Sequence, residues 1–394
     1  MQPSGRAAAN LRGMATIAPS LALLHHHFGP YHLARARELR RVYPGKVHLL
    51  QLANTEVARA WRIDETDLGI ETAVPGILDQ IPPAEVEAGL ERLLERLSPD
   101  VIAVAGYADR GMRQAAKWAR RRGRTSILLS DSQARDLPRK RWREWLKRQW
   151  VSRHYSRAFV AGASAASYVE SLGIASHRIW RGYDVVDNAH FAAGAAQARR
   201  DEAALRKELK LPARFFLFVG RFAPEKNLPR LLAAFRSASA DAAVAGRSLV
   251  LVGGGPEEAA LRAVAAPLGD RVHFAGFQQL ERLPAYYGLA EALLLPSLSE
   301  PWGLVVNEAM AAGLPVVASS QCGCVMELVL PGLNGVVVDA HDQQDIASAL
   351  IAVASRDDGD RSRWGEASRR LIDNYSLETW ARALTDCALS AAAP

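Results

Sequence analysis

Short apolar runs alternate with amphipathic stretches along almost the whole chain. In the first half the runs are SLALL (Ser20–Leu24), KVHLLQL (Lys46–Leu52), DVIAVAG (Asp100–Gly106), TSILLS (Thr125–Ser130) and RAFVAG (Arg157–Gly162). Between them lie stretches of helical period, such as HLARARELRRV (His32–Val42) and AEVEAGLERLLERL (Ala84–Leu97). The rhythm breaks at NAHFAAGAAQARRDE (Asn188–Glu202), which has no strand character. It then resumes with RFFLFVG (Arg214–Gly220), SLVLVGG (Ser248–Gly254), RVHFAGF (Arg271–Phe277), ALLLP (Ala292–Pro296), LPVVAS (Leu314–Ser319) and NGVVVD (Asn334–Asp339). Strands that are apolar on both faces and alternate with helices predict parallel sheets covered on both sides. Two such series predict an α/β protein of two doubly wound, Rossmann-like domains facing a cleft. The boundaries read from the pattern are an N-terminal extension over 1–16, small, polar and expected to be disordered, and a first domain over 17–190. A linker over 191–210, a second domain over 211–375 and a closing helix over 376–394, able to reach back to the first domain, complete the plan. In open parallel sheets ligands bind beyond the carboxyl ends of the strands, so the cleft is the expected site.

Composition changes this picture little, and charge changes it more. The chain has 394 residues, 49% apolar and 23% charged, which is ordinary for a globular protein of two or three domains. No apolar run reaches the ~18 residues of a membrane-spanning helix, and IAPSLALL (Ile17–Leu24) is a poor signal peptide. The three cysteines, Cys322, Cys324 and Cys387, argue against a disulfide scaffold and fit a reducing, cytoplasmic setting. The net charge of +7 is uneven: residues 1–185 hold 29 Lys and Arg against 18 Asp and Glu, and the rest hold 20 against 24. A basic first half suits an anionic partner, or is a solvated basic face. Within it, RKRWREWLKRQWVSRHYSR (Arg139–Arg157) sets Trp142, Trp145, Leu146 and Trp150 near one helix face among cations. That is the pattern of a helix lying on an anionic membrane surface, and equally of a core helix whose long cations snorkel. No nucleic-acid-binding module is present.

Candidate chemistry concentrates in the second half. After the strand FLFV come Arg221 and Lys226, both leaving the carboxyl end of a strand. A forked guanidinium and a mobile ammonium suit a diphosphate, although Glu225 is available as a salt-bridge partner. In LVGGGPEEAAL three glycines either let a ligand approach the backbone or merely turn the chain. In SEPWGLVVNEAMAAGLPVV, Glu300 stands before a helix that begins near Pro301–Gly303, and Glu308 lies within it. The amides of Gly303, Leu304 and Val305 make an anion site at that helix start. A carboxylate accepts two hydroxyl hydrogen bonds, the pattern a ribose diol offers. The spacing therefore fits a nucleotide-diphosphate sugar, with diphosphate at the helix start, sugar by Glu300 and ribose by Glu308.

The pieces VGRFAPEKN, LVGGGPE, VHFAGF, LLLPSLSEPWGLVVNEAMAAGLPVVAS and GLNGVVV, in this order, resemble retaining glycosyltransferase family 4, of the GT-B fold. The resemblance spans roughly Phe215 to Asp339. It implies that Arg221 and Lys226 bind the donor diphosphate, with the amides around Gly303 to Val305 completing the phosphate site. It also implies that Glu308 holds the ribose and Glu300 touches the transferred sugar. No cofactor or metal is expected, and the nucleotide sugar is a co-substrate. Base recognition is expected largely from backbone, near Phe277. A glycosidase, a nucleotide-sugar epimerase of the same fold and a catalytically silent nucleotide-sugar-binding protein are the competing readings.

The first domain departs from the family. In LLHHHFGPYHLARAREL, Gly29 and Pro30 stand where the family often has two glycines, and His32 opens the helix. His25, His26, His27 and His32 invite a metal reading, but no acid lies close in sequence. Gly106 and Tyr107 occupy a stretch where the family often places a histidine, and Asp131 and Ser132 replace a histidine-bearing acceptor loop. Gly29, His32, Tyr107 and Asp131 are therefore the candidate residues for the cleft or for an unidentified hydroxyl acceptor. The expected location is cytoplasmic, with a peripheral position on the inner face of the membrane.

Overall fold

The structure is a computed structural model that describes residues 18–55, 67–136 and 139–390. The expected extension over 1–16 lies outside the described residues. The first domain runs β1 (Leu21–His25), α1 (Pro30–Val42), β2 (Val47–Gln51), β3 (Glu71–Thr72), α2 (Pro83–Leu97), β4 (Val101–Ala105) and α3 (Arg110–Arg121). It continues with β5 (Thr125–Ser130), α4 (Arg141–His154), β6 (Arg157–Val160), α5 (Ala163–Ser171) and β7 (Ile179–Arg181). Two helices follow where the chain loses strand character, α6 (Asn188–Arg200) and α7 (Glu202–Glu208). The second domain runs β8 (Phe215–Val219), α8 (Leu228–Ala238), α9 (Ala242–Ala245), β9 (Ser248–Val252), α10 (Glu258–Ala265), β10 (Val272–Gly276) and α11 (Leu283–Leu289). It closes with β11 (Ala292–Leu295), α12 (Leu304–Ala311), β12 (Val316–Ser319), α13 (Val325–Leu328), β13 (Gly335–Val338), α14 (Gln343–Ala354), α15 (Asp358–Ile372) and α16 (Leu377–Leu389).

Among the described residues the first sheet has seven strands in the order β3-β2-β1-β4-β5-β6-β7, and the second has six in the order β10-β9-β8-β11-β12-β13. Every strand pairing is parallel. The central strands are buried along their whole length, as their uninterrupted apolar runs require. β3 and β7 are too short to show in the pattern. Strand order reverses between β1 and β4 and again between β8 and β11. These two switch points open the crevices in which such sheets bind ligands. The turns leaving β1, β4, β8 and β11 carry Gly29, Tyr107, Arg221 and Glu300, so the topology brings scattered candidates to one cleft.

Local rules fix the helices around it. Asp109 caps α3 through the amides of Gly111 (2.6 Å) and Met112 (3.4 Å). The buried face of that helix is Met112, Ala115, Ala116, Trp118 and Ala119. α6 packs on α11 and α12 of the second domain. α16 lies on α1 and on the first sheet, where Trp380 and Leu384 join a core with Leu21 and Phe159. Arg157 anchors the end of α16 by donating to the Cys387 carbonyl at 2.7 Å. The final helix therefore completes the core of the first domain and straps the two halves together. Cys322, Cys324 and Cys387 are all buried and unbridged.

Candidate functional site

The second-domain half of the cleft is built by backbone. After β8 the chain makes a single 3-10 turn, Pro224–Lys226, ending at Asn227 in the left-handed region (φ 60°). The Asn227 amide donates to the carbonyls of Pro296 (3.0 Å) and Ala340 (2.7 Å), which ties this turn to the one after β11. Gly303 precedes α12 with φ 105°, a conformation that a side chain would strain, and no side chain caps the helix. Gly303, Leu304, Val305, Arg221, Lys226, Glu300, Glu308 and Phe277 all line one cavity of about 680 Å³. The structure thus brings every second-domain candidate together. Its cations are not equivalent. Arg221 is exposed and pairs with Glu225 at 3.1 Å, whereas Lys226 is largely buried and pairs directly with the Glu300 carboxylate.

The three glycines resolve into a packing role for the first. A Cβ on Gly253 (φ 135°) would stand 1.9 Å from the Gly220 carbonyl oxygen, so the turn after β9 needs glycine to lie against the turn after β8. Glu308 is buried, and both of its oxygens already accept hydrogen bonds, from Tyr31 (2.8 Å) and Tyr287 (2.6 Å). Burial pushes its pKa up to about 7 against the two tyrosine hydroxyls, which pull it down. A ribose diol at Glu308 must therefore use the remaining lone pairs or displace Tyr31, a first-domain residue that sequence reasoning missed.

The first-domain half forms a second cavity of about 680 Å³, lined among others by Gly29, His32, Tyr107 and Asp131. His32 accepts from the Gly29 amide through Nδ1 at 3.1 Å, so it caps α1, and it stacks on His25 at 4.1 Å. The Tyr107 hydroxyl lies 3.2 Å from that of Tyr168. Asp131 follows β5, and burial raises its pKa. Among the described residues no group of three or more His, Cys, Asp or Glu is placed to hold a metal.

Three further residues here were not read from the sequence. Arg35, buried on α1, donates to the Val185 carbonyl through Nε (3.0 Å) and Nη2 (2.7 Å) and lies 3.4 Å from Asp184. Asp184 follows β7, a strand of three residues that leaves little sequence trace. Gln133 reaches across the cleft and donates to the carbonyls of Glu300 (3.0 Å) and Pro301 (3.1 Å). Asn307 donates to the Asp184 carbonyl (3.1 Å) and Ser299 to that of Asp136 (3.0 Å). Tyr31 and Leu304 line both cavities, which therefore adjoin.

On the outside of the first domain, α4 exposes Trp142 (59%), Trp145 (59%) and Leu146 (50%). Trp150 does not share this exposure: it packs against His154 and Tyr155 and under Arg113. No helix among the described residues is long and apolar enough to cross a membrane.

With this geometry in view, the match to a known family falls on the second domain. Residues 200–371 match the family described as glycosyl transferases group 1. A D-inositol 3-phosphate glycosyltransferase of Salinispora arenicola is 37% identical over 206 residues, 49% of this chain and 45% of that protein. The protein of the same name from Mycolicibacterium smegmatis is 34% identical over 219 residues, 51% of this chain and 46% of that protein. The chain thus spans less than half the length of these relatives. Likeness in structure runs further. Anabaena HepE in complex with UDP and glucose superposes with a TM-score of 0.73 at 18% identity, covering 93% of this chain and 98% of that one. The sucrose-phosphate synthase of Thermosynechococcus elongatus gives 0.69 at 21% identity, covering 93% and 97%. The architecture is the GT-B fold, two Rossmann-like domains around a cleft.

Proposed function

We propose that the chain is a retaining, metal-independent glycosyltransferase that moves a sugar from a nucleotide-diphosphate sugar to a hydroxyl acceptor in glycan, polysaccharide or glycolipid synthesis. The observation that carries this reading is the second-domain cavity. One lining holds two cations, the amide-bearing start of α12 and a buried carboxylate, all at the β8/β11 switch point. The group 1 match over the same residues and the UDP-bound structural neighbour support a nucleotide-sugar donor. In the reaction the acceptor oxygen bonds to the anomeric carbon as the bond from that carbon to the diphosphate oxygen breaks. Lys226, Arg221 and the amides of Gly303, Leu304 and Val305 stabilise the charge that grows on the leaving diphosphate. Attack from the leaving-group face lets the departing diphosphate take the acceptor proton. Glu300 orients the sugar, and it must release Lys226 to do so. Glu308 holds the ribose, and the nucleobase lies by Phe277.

The chain acts in the cytoplasm at the inner face of the membrane. The exposed Trp142, Trp145 and Leu146, flanked by Arg141, Arg143 and Arg148 on the same helix, support docking on anionic lipid. A thermal-shift and hydrolysis screen against UDP-, GDP-, ADP- and TDP-sugars, without and then with a divalent metal, tests the donor reading. Stabilisation by one nucleotide series with slow metal-free release of the diphosphate is expected. No shift with any donor would overturn it.

A further inference from the structure

The cavity on the first-domain side is richer in carboxyl groups than the donor half: among the described residues four aspartates line it, beside four histidines and three Arg and Lys side chains. Each of those three cations is already engaged. Arg35 is held by Asp184 and the Val185 carbonyl. Arg139 donates to the carbonyls of Gln133 and Ala134 and to Glu144 and Tyr168. Lys147 donates to Glu144 at 2.8 Å. The carboxylates have spare capacity. Asp184 is only 6% exposed; one oxygen faces Arg35 and the other, Oδ2, has no hydrogen-bond partner among the described residues. Asp136 accepts from the Gln133 amide through one oxygen at 2.6 Å, and its Oδ1 has no partner among them either. Asp131 lines the same space.

Resting on the transferase reading, we infer that this cavity receives a neutral or amino-bearing polyhydroxyl acceptor that donates hydrogen bonds to Asp131 and Asp184, and that it excludes phosphomonoesters. A buried acceptor atom without a partner is costly, so a hydroxyl or ammonium that reaches it gains more than it would at the surface. A phosphate brings acceptor oxygens and negative charge to a wall of four aspartates, Asp109, Asp131, Asp136 and Asp184, beside which Arg35, Arg139 and Lys147 are already engaged. Burial has pushed Asp184 up to about 7, with Asp131 adding to the rise, and has raised Asp131, with Asp136 adding to it. A further anion would raise both again, whereas a donor or a cation relieves them. The inference separates this chain from relatives named for a phosphorylated inositol.

The test is ligand-observed saturation-transfer titration of the full chain in the presence of the nucleoside diphosphate that gives the largest thermal shift. Two pairs of probes are compared, myo-inositol with its 3-phosphate and glucosamine with its 6-phosphate. In each pair the unphosphorylated compound is expected to bind at least about 10-fold more tightly, about 1.4 kcal/mol. Asp131→Asn, at a half-buried position, is expected to narrow that ratio to about 3-fold, and Asp184→Asn to narrow it further if the variant folds. A phosphomonoester that binds as well as its parent, no binding by either parent, or a ratio unmoved by Asp131→Asn would each overturn the inference. Nucleotide binding in the same samples keeps the two readings apart. Sugars that bind where no nucleotide does would sink the transferase reading, and a preferred phosphomonoester beside bound nucleotide would sink only this inference.

Discussion

The two halves of the cleft differ in the charges they present and in how they are built. The donor half presents Lys226, Arg221 and a helix start, and nearly half of its lining comes from two turns, Gly220–Lys226 and Glu300–Glu308. The facing half presents Asp131 and Asp136 from the segment after β5 and Asp184 from the turn after β7, two segments remote in sequence that meet at the carboxyl edge of the first sheet. An anionic leaving group and a hydrogen-bond-donating acceptor are thereby drawn to different walls of one space. A site made by the backbone of a continuous motif is strongly constrained in sequence. A site made by single side chains on separate loops can be rebuilt one residue at a time.

The largest break in this comparison is expected from the donor cations. Arg221→Ala with Lys226→Ala should lower turnover about 100- to 1,000-fold, because it removes two charges from the growing anion. Measured singly, Lys226→Ala should account for most of the loss, since Lys226 is buried against Glu300 and Arg221 is exposed beside Glu225. Equal effects of the two would mean that Arg221 turns inward when donor binds.

A smaller effect is expected at Glu308. Glu308→Ala removes the acceptor of the Tyr31 hydroxyl and of the buried Tyr287 hydroxyl, so it should cost about 1–3 kcal/mol of stability and weaken donor binding about 10-fold. Its titration has a definite sign. The folded-state pKa of about 7 lies above the ordinary 4.5, so the native state binds the proton more tightly. Stability from this group is fully present below pH 4.5 and is lost as pH rises through about 7. Glu308→Gln should flatten that decline in a urea-melt series across pH; an unchanged slope would place its origin elsewhere, with Asp184 the next group to vary.

The smallest effect lies outside the cleft. Trp142→Ala with Trp145→Ala should lower partition onto vesicles of anionic lipid about 10-fold. Metal-free donor hydrolysis in solution should hold, and stability should move by no more than about 0.5 kcal/mol, the range of surface substitutions. Equal partition of the double variant would remove α4 from any membrane contact.

The same contrast explains what the sequence made legible. The strand–helix rhythm led directly to two parallel sheets, because strands buried on both faces must be apolar throughout. Every donor-side candidate lines a single cavity, since the motif is local. Neither Asp184 nor Tyr31 was legible. Asp184 follows a strand of three residues, and Tyr31 donates to a carboxylate 277 positions away. The stretch over 191–210 reads as a linker because its small residues lack a strong apolar stripe; most of it lies in two helices, α6 and α7, and α6 packs on α11. Of the four histidines that invite a metal reading, His25 and His32 stack on each other and His32 also caps α1. No local pattern distinguishes those uses from ligation.

The central claim is that the α12 start, Lys226 and Glu308 together hold a nucleoside diphosphate. A crystal structure of the chain soaked with the diphosphate selected by thermal shift tests it most directly. The account predicts phosphate oxygens on the amides of Gly303, Leu304 and Val305, Lys226 turned from Glu300 to the phosphate, and the ribose hydroxyls on Glu308. A nucleotide bound elsewhere, with the Lys226–Glu300 pair intact, would contradict it.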